Sequence, residues 1–249
     1  MKKSAPQEKN SGVFEKNWRR FFLVRFLWPA NLVFQLLLRT FAHMKLIEKY
    51  FPELTERQRE QLALLDELYH EWNEKINVIS RKDIDNLYEH HVLHSMAIGK
   101  LLRFKAGTEV LDFGTGGGFP GVPLAILFPE CRFTLIDGTG KKIRVAQEVS
   151  QAIGLENCTP IHRRGEEEKG HYDFVVSRAV MPLPDLARMV KKNIKKEQQN
   201  ALPNGIICLK GGDLQEETRP YKHIVQVNAL SDWFGEEWFK EKYCIYLPL

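Results

Sequence analysis

Residues 112–121 read DFGTGGGFPG, five glycines and a proline in ten positions. Glycine admits left-handed backbone and lets main-chain N–H groups come close to a ligand, so such a loop can cradle a polar small molecule. Gly116, Gly118 and Gly121 fall in the GxGxxG spacing of a dinucleotide fingerprint, and Pro120 suits the first turn of a helix. Asp137 ends the next apolar stretch, at about the separation from which a carboxylate accepts ribose hydroxyls. The pattern points to a cofactor that carries a nucleoside.

Asp112 narrows the choice. Dehydrogenase loops set a pyrophosphate on the helix N-terminus, where the dipole favours anions. A carboxylate two residues before the first glycine disfavours that charge and suits a ligand bearing an ammonium and a sulfonium. S-adenosylmethionine has both. Asp112, Gly114, Gly116 and Gly118 also match the acid-x-Gly-x-Gly-x-Gly arrangement of nucleotide methyltransferases. A nicotinamide-dependent oxidoreductase is the alternative, disfavoured by Asp112 and by the lack of a second catalytic domain.

These residues need a frame. EVLDF (109–113), CRFTLID (131–137), TPIHR (159–163), YDFVVS (172–177) and GIICLK (205–210) read as buried strands separated by helical stretches. HIVQVN (223–228) and KYCIYL (242–247) add a closing pair without a long helix between them. The fold class expected is α/β: a Rossmann-like class I S-adenosylmethionine-dependent methyltransferase, a mostly parallel twisted sheet with helices on both faces. Upstream, Thr55 with Gln58 is a capping-box signature, and Leu62, Leu65, Tyr69, Trp72 and Ile76 share one helical face. With a second helix from Ile84 to about Leu102, they make a small helical cap. The organisation expected is an atypical extension over 1–43, a helical cap over 44–106 and a methyltransferase domain over 107–249.

Charge divides the chain in the same place. Eight of its 36 Lys/Arg and two of its 32 Asp/Glu lie in residues 1–43, leaving 28 basic against 30 acidic residues. A nucleic-acid surface on the main domain is therefore a local patch, and KKNIKK (191–196), with Lys191 and Lys192, is a candidate. Residues 21–41 are apolar after a basic flank, but Arg25, Pro29, Asn31 and Gln35 interrupt them. The leading expectation is a poorly ordered segment arising from an overextended start, with translation beginning at Met44; a membrane-surface arm is second. Stable membrane association is expected only if that segment is expressed. Cys131, Cys158, Cys208 and Cys244 form no CxxC pair, so reduced thiols in a cytoplasmic protein are expected. His90 and His94 share a helical face, but a third ligand is not evident and no metal is expected.

DFGTGGGFPGVPLAI, TLIDGTGKKIRV, VVSRAVMPL and ICLKGG, with WNEKINVIS upstream, resemble the bacterial glucose-inhibited division protein B family. That resemblance runs from about Met44 to the C-terminus and implies an S-adenosylmethionine-dependent methyltransferase of guanine N7 in 16S ribosomal RNA, with a methyltransferase of another RNA as the alternative. It implies a cofactor loop of Gly114, Gly116 and Gly118 with Phe119 lining it, and Asp137 on the ribose. Gly165 and Glu166 would flank the adenine, Arg178 would close the site and Lys210 would contact RNA. The implied partner is 16S ribosomal RNA or the small ribosomal subunit, met by a monomer. His94, where many relatives have an acid, and the basic pair Arg163–Arg164 depart from the pattern. SRAVMPLP (177–184) stands where amino-group methyltransferases carry an Asn/Asp-Pro-Pro-aromatic motif. Guanine N7 has no proton to lose, so no acid–base residue is expected.

Overall fold

The computed structural model describes the backbone of residues 30–249 and the side chains from residue 39 onward. The polar stretch 2–12 and residues 21–29 of the apolar stretch 21–41 lie outside the described residues. Helix α1 (Ala30–Tyr50) is bracketed in sequence by Pro29 and Pro52, with no glycine or proline between them to stop it. It runs unbroken past Met44, so the boundary drawn after residue 43 falls inside an element. Helix α2 (Glu56–Lys75) begins at Thr55, whose side chain accepts from the Gln58 amide while the Gln58 side chain reaches back, completing the capping box. Residues 84–101 follow as a broken helix: a 3₁₀ turn (Ile84–Asn86), π-helical turns (Leu87–Leu93) and short α segments (His94–Met96, Ile98–Leu101). No described helix is long and apolar enough to cross a membrane.

The strands are β1 (Glu109–Phe113), β2 (Arg132–Asp137), β3 (Cys158–His162), β4 (Phe174–Arg178), β5 (Gly205–Gly211), β6 (Gln226–Ala229) and β7 (Lys242–Pro248). They form one sheet of order β3-β2-β1-β4-β5-β7-β6. β1 to β5 pair in parallel, and β7 runs antiparallel between β5 and β6. The central strands are apolar on both faces because helices cover both. Val110, Phe133, Leu135, Phe174 and Val176 pack on one side with α2, α3 (Gly121–Leu127) and α4 (Gly140–Ala152). Leu111, Ile136, Val175 and Ile206 pack on the other with α5 (Leu183–Val190). Two cap side chains finish helix ends: Gln58 donates to the Ile126 and Leu127 carbonyls, and Gln61 to the Ile153 carbonyl. Strand order reverses between β1 and β4, which opens a crevice beyond their C-terminal ends where α/β sheets take their ligands.

Candidate active site

The glycine loop leaves β1 at this crevice. The Gly114 and Thr115 amides both donate to the Ile136 carbonyl, at 2.9 and 3.0 Å, which turns the chain back over β2. Gly116 has φ +58°, and a Cβ there would meet nothing within 4 Å, so its outer face is free to take a ligand. Asp112 sits underneath, fully buried. Its Oδ2 accepts from the Thr115 hydroxyl at 2.5 Å and from the Gly121 amide at 2.7 Å, closing the two ends of the loop on one oxygen. A Cβ on Gly121 would lie 2.6 Å from that oxygen, so only glycine lets the carboxylate in. Asp112 Oδ1 has no hydrogen-bond partner in the protein. Burial pushes the carboxyl up to about 7, against the hydrogen bonds from Thr115 and Gly121 and the charge of Arg178.

Asp137 is held from both sides. Its Oδ2 accepts from the Gly116 amide at 3.0 Å and its Oδ1 from the Thr139 amide at 2.7 Å. It borders a 440 Å³ cavity with Phe113, Gly138, Glu166, Val180, Met181 and Met189. Gly165 forms part of the same wall. A Cβ there would come 2.2 Å from Phe113 Cζ, so the residue is packed flat against the ring. Glu166 is exposed at the rim, where Lys192 donates to its carbonyl at 2.9 Å.

The cap packs against the glycine loop. Tyr69 donates to the Gly117 carbonyl at 2.9 Å, and Val78 covers Gly117 closely enough that a Cβ there would be 2.8 Å away. Asn73 shapes the turn beneath, accepting from the Val78 and Ile79 amides and donating to the Ile79 carbonyl. Phe119 is buried between Tyr69 and His91, with ring centroids 4.7 and 5.4 Å away. The Arg178 guanidinium lies 5.1 Å from the Phe119 ring centre. It donates to the His90 carbonyl at 3.3 Å and meets His91 Nδ1 at 3.0 Å.

Of the residues expected at the site, Gly114, Asp137, Gly165 and Glu166 line that cavity and Gly116 bonds to Asp137 at its edge, while Asp112, Gly118 and Phe119 are buried beneath and behind the loop, with Arg178 against the Phe119 ring. Lys210 lies apart from them. Its ammonium donates to the Met181 carbonyl at 2.7 Å and pairs with Glu217 at 2.5 Å, and Glu217 accepts from the Leu183 amide at 2.7 Å. Lys191 and Lys192 are exposed beyond α5. Arg163 is engaged by the buried Glu168. His90 and His94 do not act together: His90 stacks on Trp238 and bonds Asp83, while His94 is buried against Trp238 and Phe239. Among the described residues no group of three His, Cys, Asp or Glu could hold a metal ion. Sequence reasoning missed Asp83, His91, Val78 and Glu217, and took Tyr69 only as helix core. WNEKINVIS was the available signal for the cap's contact with the loop, since its Asn73 folds the Val78–Ile79 turn that covers Gly117.

The strand order with one antiparallel strand, the glycine loop after β1 and the acid that ends β2 define the class: a Rossmann-like methyltransferase fold. A solved MtNAS mutant in complex with S-adenosylmethionine shares the fold at TM-score 0.50 and 13% identity, over 77% of this chain and 76% of that one. Residues 58–236 match the family described as rRNA small subunit methyltransferase G. The chain belongs to that family. Ribosomal RNA small subunit methyltransferase G of Bacteroides fragilis is 62% identical over 206 residues, 83% of this chain and all of that one. Its counterpart in Bacteroides thetaiotaomicron is 63% identical over 203 residues, 82% and 98% of the two chains.

Proposed function

We propose that the protein transfers the methyl group of S-adenosylmethionine to N7 of a guanine in 16S ribosomal RNA, acting as a cytoplasmic monomer on the RNA or the small subunit. The observation that carries this is the Asp137 carboxylate, fixed between two backbone amides beside the open face of Gly116. A ribose diol needs that pair of acceptor oxygens, already oriented, next to a loop without side chains. A carboxyl group buried beneath the loop, with Oδ1 of Asp112 free of hydrogen bonds, fits a positively charged cofactor through its charge rather than by contact. Phe113, Met181 and Met189 give the apolar walls an adenine requires, with Gly165 and Glu166 at its edge.

S-adenosylmethionine supplies an electrophilic methyl group on its sulfonium. The chain's residues bind, orient and exclude water. Guanine N7 presents a lone pair and carries no proton, so no general base is called for. Asp112, at about 7, is poised for proton transfer by its acidity alone. It is fully buried beneath the loop, with one oxygen engaged by Thr115 and Gly121, and does not reach the crevice. Rate then comes from holding N7 in line with the methyl group in a dry, pre-organised site. Tyr69, Val78 and Phe119 keep the loop closed from the cap side, and Arg178 completes the crevice from β4. Lys191 and Lys192 supply phosphate contacts.

The test is methyl transfer from labelled S-adenosylmethionine to small ribosomal subunits, or to their RNA, from a strain lacking its own enzyme of this family. Nucleoside mass spectrometry is expected to show 7-methylguanosine at one position. Label in another nucleoside, or none, overturns the assignment.

A further inference from the structure

Arg178 emerges from β4 with a long side chain that, untethered, would sample many rotamers. A string of polar contacts from the cap fixes it. The guanidinium is a donor only, so its 3.0 Å contact with His91 Nδ1 requires a lone pair on that nitrogen. The ring proton then lies on Nε2, which donates to Asp83 Oδ2 at 2.6 Å. The other carboxylate oxygen accepts from His90 Nδ1 at 2.5 Å, and the His90 ring is stacked on Trp238 at 4.2 Å. Every contact has one workable polarity, running Arg178 to His91 to Asp83. Burial, with the Arg178 charge beside it, holds His91 down to about 4, so one neutral tautomer persists at working pH. Burial raises Asp83, but the hydrogen bonds from His90 and His91 outweigh it and keep the carboxyl ionised. The π-helical turns at Leu87–Leu93 let two consecutive histidines bracket one carboxylate.

We propose that His91 and Asp83 are positioning residues for methyl transfer: through the His91 ring they hold the Arg178 guanidinium over Phe119 at the cofactor crevice. This rests on the function proposed above and assigns the cap a part in it. A network that merely fastened the cap would contribute stability without acting through Arg178.

A double-mutant cycle on the full chain separates the two. Dissociation constants for S-adenosylhomocysteine are measured by calorimetry for the native protein, His91→Phe, Arg178→Ala and the double variant, with ligand-free melting curves alongside. His91→Phe is expected to weaken binding about tenfold when Arg178 is present and less than about twofold in the Arg178→Ala background. His91→Asn, whose side-chain oxygen takes the place of Nδ1, is expected to recover most of the loss. Equal losses in both backgrounds, or no loss in His91→Phe, overturn the proposal. Unchanged binding and methyl transfer in Arg178→Ala would remove Arg178 from the site and the positioning role with it. Tight cofactor-product binding, with the cycle coupled as expected, but without methylation of ribosomal RNA, would overturn the substrate assignment and leave the positioning role standing.

Discussion

Tyr69 gives its buried hydroxyl to the Gly117 carbonyl, 2.9 Å away, and so pins α2 of the cap to the middle of the glycine loop. The phenol stays a donor at any working pH, because burial raises its pKa well beyond the ordinary tyrosine range. Tyr69→Phe keeps the ring against Phe119 and leaves the carbonyl without its partner. Urea unfolding is expected to show a loss of about 1–2 kcal/mol. Calorimetry is expected to show S-adenosylhomocysteine affinity falling several-fold as the loop loosens. An unchanged midpoint with unchanged affinity would deny the bond any part in shaping the loop.

Asp112 makes stability depend on pH with a defined sign. Its carboxyl rises from the ordinary 3.8 to about 7 on folding, driven by burial. The folded protein keeps a proton that the unfolded chain releases, so this group's contribution is full below about pH 4 and is lost as pH climbs to about 7. Asp112→Asn is nearly isosteric, and its amide oxygen can still accept from Thr115 and Gly121. Across that window the variant is expected to gain about 2–4 kcal/mol on the native protein in denaturant titrations. Cofactor-product affinity should behave oppositely in the native protein, rising through about pH 7 as the buried carboxylate ionises and adds negative charge beneath the loop that attracts the ligand's ammonium, and be flat in Asp112→Asn. A pH-independent difference in stability would refute the buried titration.

The glycine loop, the strands and their parallel order were legible because glycine and proline mark the turns and the apolar runs are short and β-branched. Asp112 and Asp137 were legible as acids at the site, since each falls at or next to the C-terminal end of such a run. Where Asp112 points was not: the sequence places an acid beside the loop, and only the fold turns one oxygen into the loop's own amide and hydroxyl. His90 and His94 were paired by an α-helical count, whereas π-helical turns put His90 and His91 on one carboxylate. Lys210 looked like a free cation at a strand end because its partner, Glu217, comes from a short helix with no periodic signal.

Arg39 tests how far the cap extends toward the N-terminus. From α1 it donates to Asp66, whose side chain is 3% exposed, and meets His70 at 2.7 Å, while His43 stacks on Tyr88. Arg39→Ala removes the hydrogen bond and permanent charge from a buried carboxylate, leaving His70 and His43 at 3.4 and 4.0 Å. With the arginine itself 35% exposed, the expected loss is about 1–3 kcal/mol in chemical denaturation, smaller than for a fully buried pair. A chain shortened to begin at Met44 lacks both Arg39 and His43 and should lose at least as much. If the shortened chain unfolds at the native midpoint, residues 39–43 contribute nothing to the cap.

Lys210 distinguishes a brace from a phosphate contact. Its ammonium and Glu217 together hold the Met181 carbonyl and the Leu183 amide, fixing the loop that follows Arg178; their side chains are 10% and 17% exposed. Lys210→Met keeps the aliphatic stem, leaves the Met181 carbonyl without its donor and leaves the Glu217 carboxylate with the Leu183 amide but no countercharge. The expected result is a loss of about 2–3 kcal/mol in stability and a lower kcat, with an unchanged dependence of RNA affinity on salt. A phosphate contact predicts the reverse: unchanged melting and a salt slope lower by about one. Replacing Lys191 and Lys192 together by alanine provides the contrast, since both are exposed beyond α5. That variant should melt like the native protein and lose up to about two from the slope of log affinity against log salt.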